Sequence, residues 1–233
     1  MKRMKAAALF VMVVAAALQL GGCAVGSTQA RSVDTKNSPL VNPEILVKGT
    51  DDQALYRYVN PKADVKQYSK IMIDPVLVIK DGQLDKEEME NYQKLANNAF
   101  VYLKQELEKR YQIVTDAGPG TMRLQMAIVD ADSASPVSNT LSTLLPVGMV
   151  VSLVKYSATG KQSGVGEITA QMKITDAVTG ELLGAALDRR VGGKELKNLW
   201  SDWRNADDAL QYWAKRVSFA LCDMRGGANC VKP

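Results

Sequence analysis

The chain has 233 residues, contains no histidine, and carries 29 Lys and Arg against 25 Asp and Glu, a formal net charge of +4 at pH 7. Without histidine it lacks the commonest general base and the commonest zinc ligand, so a Ser-His-Asp triad and a histidine-bound zinc are excluded. Its length fits a single domain best.

The first 22 residues have the pattern of a bacterial export signal. Three basic residues within Met1–Lys5 precede an uncharged run from Ala6 to Leu18, and small residues follow at Gly21 and Gly22. The apolar run is too short to cross a bilayer, which takes ~20 apolar residues in a helix. We therefore predict a lipoprotein signal peptide over residues 1–22. The alternative is an ordinary secretory signal that ends by chance beside a cysteine.

The end of this signal, Leu20-Gly21-Gly22-Cys23, resembles the lipobox of bacterial lipoproteins. The resemblance implies a diacylglyceryl group on the Cys23 sulfur, cleavage just before it and acylation of the freed amine by a fatty acid such as palmitate. Two or more acyl chains hold a protein stably on a membrane, whereas one holds it only marginally. Ala24 rather than Asp follows, which by resemblance to the enterobacterial sorting rule predicts the outer membrane, with the domain facing the periplasm.

The predicted mature chain is nearly neutral, because without the signal 26 Lys and Arg face 25 Asp and Glu. It therefore has no electrostatic footprint for nucleic acid and no polybasic membrane patch. Cys222 and Cys230 are too few for a structural zinc site. We predict a disulfide between them in the oxidising periplasm, which would contribute ~2.5 kcal/mol in the chain-entropy model. Two free thiols are the alternative.

The domain organisation follows from composition. Residues 23–55 lack apolar periodicity and predict a flexible tether of ~30 Å, of which Leu40–Val47 is expected to dock on the domain. Residues 56–225 predict one periplasmic domain, and residues 226–233 a short tail.

Within the domain, Tyr68–Lys80 predicts a buried strand that Pro75 interrupts with an edge or a bulge after Asp74. Asp85–Arg110 predicts a helix, and Tyr111–Thr115 a short strand. The apolar face of this helix comprises Met89, Tyr92, Ala96, Ala99, Leu103 and Leu107.

Alternating residues then predict strands at Met122–Val129, Glu167–Thr175 and Glu181–Val191, the last two joined by a hairpin turn at Asp176–Gly180. A final helix spans Asn205–Met224. Its predicted inner face comprises Ala206, Ala209, Trp213, Val217 and Leu221. The order strand-helix-strands-helix predicts an α+β fold, a mixed or antiparallel sheet with two main helices packed on one face.

Three short stretches carry a family resemblance: Tyr58-Val59-Asn60-Pro61, Ile73-Asp74-Pro75-Val76, and Asp176–Gly180 leading to Asp188-Arg189-Arg190. With them the chain resembles the bacterial lipoproteins grouped as domain of unknown function 3313, from about Tyr56 to Leu221. The resemblance implies an envelope lipoprotein and supplies no catalytic residue.

The uncharged apolar segment Thr140–Val154 is the best candidate for an interaction surface. We favour a buried helical excursion between two strands. The alternative is an exposed element that contacts a partner, the membrane or a second copy of the chain. The residues of that candidate surface are Leu144, Leu145, Val147, Met149 and Val150.

Three other clusters have structural and functional interpretations. For the aromatic residues Trp200, Trp203, Tyr212 and Trp213 we favour core and helix-docking roles over a peptide- or glycan-stacking surface. Asp130 and Asp132 could serve a hydrolase or share a divalent cation, although solvated strand ends are the simpler interpretation. Asp188-Arg189-Arg190 is read as an ion-paired strand end rather than an anion site.

Together these patterns predict a non-enzymatic envelope lipoprotein that binds another envelope protein or glycan. They predict no catalytic residue, metal, cofactor or nucleic-acid partner. The alternative function is a carboxylate-dependent hydrolase acting on envelope glycans.

Overall fold

The computed structural model describes residues 27–35, 38, 40–50, 53–81, 85–129, 141–144, 151–156, 167–191 and 200–233. The predicted signal peptide and Cys23 lie outside these ranges. Within them, neither helix is long and apolar enough to cross a membrane.

The described residues form one mixed sheet and two long helices. The helices are α1 (Lys86–Leu107) and α2 (Trp200–Met224). The strands are β1 (Thr28–Gln29), β2 (Val47–Lys48), β3 (Tyr56–Val59), β4 (Lys70–Ile73), β5 (Leu77–Asp81), β6 (Gln112–Val114), β7 (Thr121–Val129), β8 (Leu141–Leu144), β9 (Val151–Tyr156), β10 (Glu167–Asp176) and β11 (Leu182–Val191).

The main path through the sheet is β2-β3-β11-β10-β7-β5-β9-β8, while β1 pairs with β11, and β4 pairs with β6 and β7. The long antiparallel trio β7-β10-β11 forms the centre, and β5 joins it in parallel through β7. The predicted α+β class and element order are confirmed.

The core lies between the helices and one face of the central strands. It comprises alternate residues of β7 and β10 together with the inner faces of α1 and α2, among them Ala99, Leu103, Leu107, Ala209, Leu210, Trp213 and Leu221. The predicted helix faces are therefore confirmed, with Leu95 as an addition to α1. The alternation predicts a half-buried strand with Ala127 and Val129 on the face away from the core, but both residues are buried because Ile79 packs beside them in a smaller cluster.

The predicted strand interruption is a bulge. Ile73 pairs with Leu124 and Leu77 pairs with Ala127, so three residues on one side oppose two on the other. The Asp74 backbone N–H donates to the Leu124 carbonyl at 2.9 Å. Pro75 falls where the ladder is already broken, so its missing N–H costs no hydrogen bond.

The N-terminal segment departs from the expected tether. Thr28–Gln29 pairs with β11, Val47–Lys48 pairs with β3, and Val41 is only 3% exposed. The described parts of residues 27–55 therefore belong to the folded domain. Thr28–Gln29 pairs with the part of the β11 edge that β3 leaves open, and Val47–Lys48 pairs with the outer edge of β3. The expected docking of Leu40–Val47 is confirmed.

The apolar segment also differs from the favoured interpretation. Its described parts are two antiparallel strands, with Leu141 opposite Val154 and Leu144 opposite Val151, and not a helix. The β-branched residues of β9 favour a strand, and Pro146 disfavours a continuous helix through the segment. Leu145, Val147, Met149 and Val150 lie outside the described residues, so the predicted interaction surface remains a prediction.

Candidate functional site

A cavity of about 290 Å³ lies between α2 and the strands β3, β11 and β10. This volume is near the lower end of the ~300–1,000 Å³ range of small-molecule sites. Most of its lining is apolar, including Val59, Met172, Ile174, Val217, Leu221 and Met224.

The strand register explains why a cavity forms here. Ala186 faces Met172 on one side and Arg57 on the other, and Gly184 pairs with Val59. Cross-strand partners project from the same face of a sheet, so these positions all face α2. Because Gly184 and Ala186 are small, they leave space beneath the helix that larger residues would fill.

Asp188 forms the polar end of this cavity and is only 4% exposed. Its carboxylate accepts hydrogen bonds from Trp213 Nε1 at 2.7 Å, Gln29 Nε2 at 2.6 Å and the Leu55 backbone N–H at 3.1 Å. These three hydrogen-bond donors are neutral, and the ion-paired strand end at Asp188-Arg189-Arg190 stays a prediction. Through these donors the carboxylate fastens the N-terminal segment and α2 to β11.

Arg190 is also committed to structural contacts. Its guanidinium lies 3.7 Å from the centre of the Tyr212 ring, and it donates to Ser27 Oγ at 3.0 Å and to the Ser27 carbonyl. Burial lowers the pKa of Arg190 from its usual value. Its donors hold Ser27 at the start of β1, so Arg190 has a structural role.

The cationic groups at the cavity itself are Arg57, Arg216 and Lys232, against the carboxylates of Asp188 and Asp223. Arg216 lies 5.1 Å from the Phe219 ring centre, and its Nη1 is buried without a hydrogen-bond partner among the described residues. A buried donor left unpaired costs roughly 1–3 kcal/mol. At the cavity itself three cationic side chains face two carboxylates, which favours an anionic ligand.

The predicted disulfide between Cys222 and Cys230 is confirmed. It closes over Gly226, which has a φ of 66°, and the tail is also held by a hydrogen bond from Arg110 Nη2 to the Asn229 carbonyl at 3.1 Å. Because Cys230 is fixed to the end of α2, Lys232 lies at the cavity.

Of the aromatic and acidic residues singled out in the sequence, some have structural roles and the others lie outside the described residues. Trp213 is buried in the core and Tyr212 lines the cavity beneath Arg190, whereas the side chains of Trp200 and Trp203 lie outside the described set. Asp130 and Asp132 also lie outside the described residues. Within the described part of the chain, no three acidic or cysteine side chains gather into a possible metal site.

The turn between β10 and β11 carries a partly buried acid–hydroxyl pair. Tyr68 donates its hydroxyl to Asp176 at 3.0 Å, and Asp176 also accepts from the backbone N–H groups of Val178 and Thr179. Burial, together with the Asp176 hydrogen bond, raises the pKa of Tyr68 to about 12. The backbone N–H of Thr179 is the main cause that lowers the pKa of Asp176.

Tyr68→Phe is expected to lower the free energy of unfolding by roughly 1.5–3 kcal/mol, the usual worth of a hydrogen bond to a charged group. The folded-state pKa of Tyr68 lies above the unfolded value near 10, so its contribution is complete below about pH 10 and lost as pH rises toward 12. The free energy of unfolding, measured by urea denaturation between pH 8 and 12, should fall more steeply with pH for the wild type than for Tyr68→Phe. Tyr56→Phe controls for the loss of a hydroxyl; equal slopes for Tyr68→Phe and wild type would contradict the prediction.

This architecture defines a class: an α+β domain with two helices packed on one face of a mixed sheet. The family model "Protein of unknown function (DUF3313)" matches residues 36–217, and the chain belongs to that family. The resemblance predicted from the sequence is therefore confirmed. None of the curated proteins matches the sequence.

Several solved structures resemble the chain weakly and at low identity. A PelC dodecamer from Paraburkholderia phytofirmans is 10% identical, covering 74% of this chain and 96% of that chain with a TM-score of 0.33. A candidate lipoprotein from Caulobacter crescentus is 11% identical, with 64% and 92% covered and a TM-score of 0.34. A DUF4136 family protein from Bacteroides thetaiotaomicron is 13% identical, with 73% and 95% covered and a TM-score of 0.34.

Sequence reasoning missed the cavity and assigned Arg57 and Arg216 no role. One signal was available: Gly184-Ala185-Ala186 places consecutive small residues inside a strand, where a glycine weakens pairing and often marks close approach of another group.

Proposed function

We propose that this protein is a non-enzymatic binding module of the bacterial envelope, anchored to the periplasmic face of the outer membrane by acylated Cys23. The observation that supports the proposal is the order of sequence features at the N-terminus: basic residues, then an uncharged apolar run, then a lipobox that ends at Cys23. Membership of the DUF3313 family and the disulfide between Cys222 and Cys230 are consistent with it.

The cavity beneath α2 supports a binding role. It is apolar, bounded by a few polar groups and lined by elements of the rigid core, as ligand sites are. Its buried carboxylate, Asp188, is already held by three neutral donors, which suits it to positioning the segments around the cavity.

Exchange of Cys23 for Ser tests the anchor. Acyl chains contribute ~0.8 kcal/mol per buried methylene, so loss of the thiol is expected to move the chain from the membrane fraction to the soluble periplasm. Fractionation with quantitative immunoblotting measures the shift, and metabolic labelling with an alkynyl palmitate measures acylation. Arg31→Gln, eight residues on and exposed, is a control that keeps the thiol. A Cys23→Ser chain that stays with the membranes would overturn the anchor.

A hydrolase acting on envelope glycans is the competing function, and it depends on Asp130 and Asp132. Asp130→Asn would abolish peptidoglycan hydrolysis if that function held. The binding-module proposal instead predicts no hydrolysis by either chain, measured by release of soluble muropeptides.

A further inference from the structure

We infer that the cavity beneath α2 binds a single-chain amphiphile with a carboxylate head group, a free fatty acid of medium length, with Arg216 contacting the head group. The inference deepens the proposed function and rests on it, since a membrane location brings such molecules to the protein.

The shape of the cavity selects one acyl chain. Its volume of about 290 Å³ lies near the lower limit for small-molecule sites, which suits one acyl chain better than the two chains of a phospholipid. Met172 and Met224 line it, and methionine side chains adapt to the irregular surface of a flexible chain. Val59, Ile174 and Val217 complete a wall on which each buried methylene would contribute ~0.8 kcal/mol.

Arg216 selects an acidic head group over a neutral one. It lines the cavity beside Phe219, whose ring centre lies 5.1 Å from the guanidinium carbon. A guanidinium binds a carboxylate through charge-assisted hydrogen bonds that are about twice as strong as neutral ones. Arg57, across the cavity on β3, adds a second positive charge.

The other charged groups of the lining do not compete for this role. Asp188 accepts three hydrogen bonds from within the domain, and the side chain of Asp223 is exposed. Arg190, which lies outside the lining, is stacked on Tyr212 and donates to Ser27. Of the three cations that line the cavity, Arg216 lies on α2 between the apolar lining residues Trp213 and Val217, and we assign the head group to it.

Photolabelling of the full chain in membranes tests the inference. Decanoic acid carrying a chain diazirine is added, the membranes are irradiated, and adducts are mapped by mass spectrometry of peptides. We expect adducts on Met172 and on the Val217–Met224 part of α2. Unlabelled decanoic acid should suppress them at about tenfold lower concentration than decanol, which lacks the charge. Adducts confined to other parts of the chain, or equal competition by decanol, would overturn the inference.

Two pairs of variants localise the ligand. Ala186→Leu fills the cavity from β11 and is expected to reduce labelling at least fivefold. Gly184→Ala adds a single methyl, whose nearest neighbour, the Tyr58 carbonyl, would lie at an ordinary 3.4 Å, and it should give a smaller decrease. Thermal unfolding followed by circular dichroism checks that both chains fold; a folded Ala186→Leu chain labelled like the wild type would overturn the inference.

Arg216→Gln should weaken labelling by the acid about tenfold and leave labelling by a diazirine decanol unchanged. Lys215→Gln, the exposed neighbour on the same helix, is the matched control and should change neither. If the two substitutions changed labelling by the acid equally, the assignment of Arg216 to the carboxylate head group would be wrong. Fractionation of the Cys23→Ser chain remains an independent result, so failure of labelling and failure of the anchor are distinguishable.

Discussion

Asp188→Ala is expected to lower the free energy of unfolding by roughly 3–5 kcal/mol, because it leaves three buried donors without their acceptor. Those donors belong to Trp213, Gln29 and Leu55, so the loss would loosen α2 and the N-terminal segment together. Urea unfolding of the purified chain, followed by tryptophan fluorescence, measures the change. Trp213 donates directly to Asp188, so its emission also reports the local environment.

Asp188→Asn separates charge from shape at the same position. It keeps an acceptor oxygen but turns an NH₂ group toward a site that offers only donors, so we expect a loss smaller than that of alanine but still above 1 kcal/mol. Glu108→Ala, exposed just after α1, is the control and should change stability by less than about 0.5 kcal/mol. A loss below 1 kcal/mol for Asp188→Ala would contradict the described network.

Leu103→Ala is expected to cost about 2–5 kcal/mol, since Leu103 is 1% exposed at the centre of the layer between α1, α2 and the sheet. Val101→Ala on the same helix is the matched control: Val101 is 41% exposed and should lose less than about 0.5 kcal/mol. Thermal and urea unfolding of both chains provide the comparison. Similar losses of unfolding free energy in the two variants would contradict the placement of Leu103 in the core.

Much of the fold was predictable because periodicity reports burial. Every second residue from Met122 to Ile128 is a large apolar one, and these residues lie in the core. Ala99, Leu103 and Leu107 recur at helical spacing and pack against the sheet and the other helix. Pro75 indicated the bulge because proline has no N–H to give to a ladder. These signals are local, so a single segment carries them.

The parts of the fold that the sequence did not predict correctly are formed by pairing between segments distant in the chain. Thr28–Gln29 has no strand signal of its own and is ordered by the edge of β11, more than 160 residues away. The apolar run after Thr140 was ambiguous, because a short apolar stretch fits a buried helix and a strand equally well. The partner strand β5 resolves it in favour of β9.

The cavity was beyond sequence reasoning for a related reason. Gly184 and Ala186 are unremarkable small residues until the register places Val59, Arg57 and Met172 beside them. The unpaired Nη1 of Arg216 likewise depends on which groups fail to reach it. Disulfide formation could be predicted because Cys222 and Cys230 are separated by only eight positions.

The pairing of β1 with β11 limits how far the domain can travel from a lipid on Cys23. Ser27 is buried against Arg190, and four residues of fully extended chain span at most ~14 Å. With Cys23 acylated as proposed, this short connection would keep the folded domain close to the lipid headgroups. Anything the domain binds would then have to be collected at the membrane surface itself.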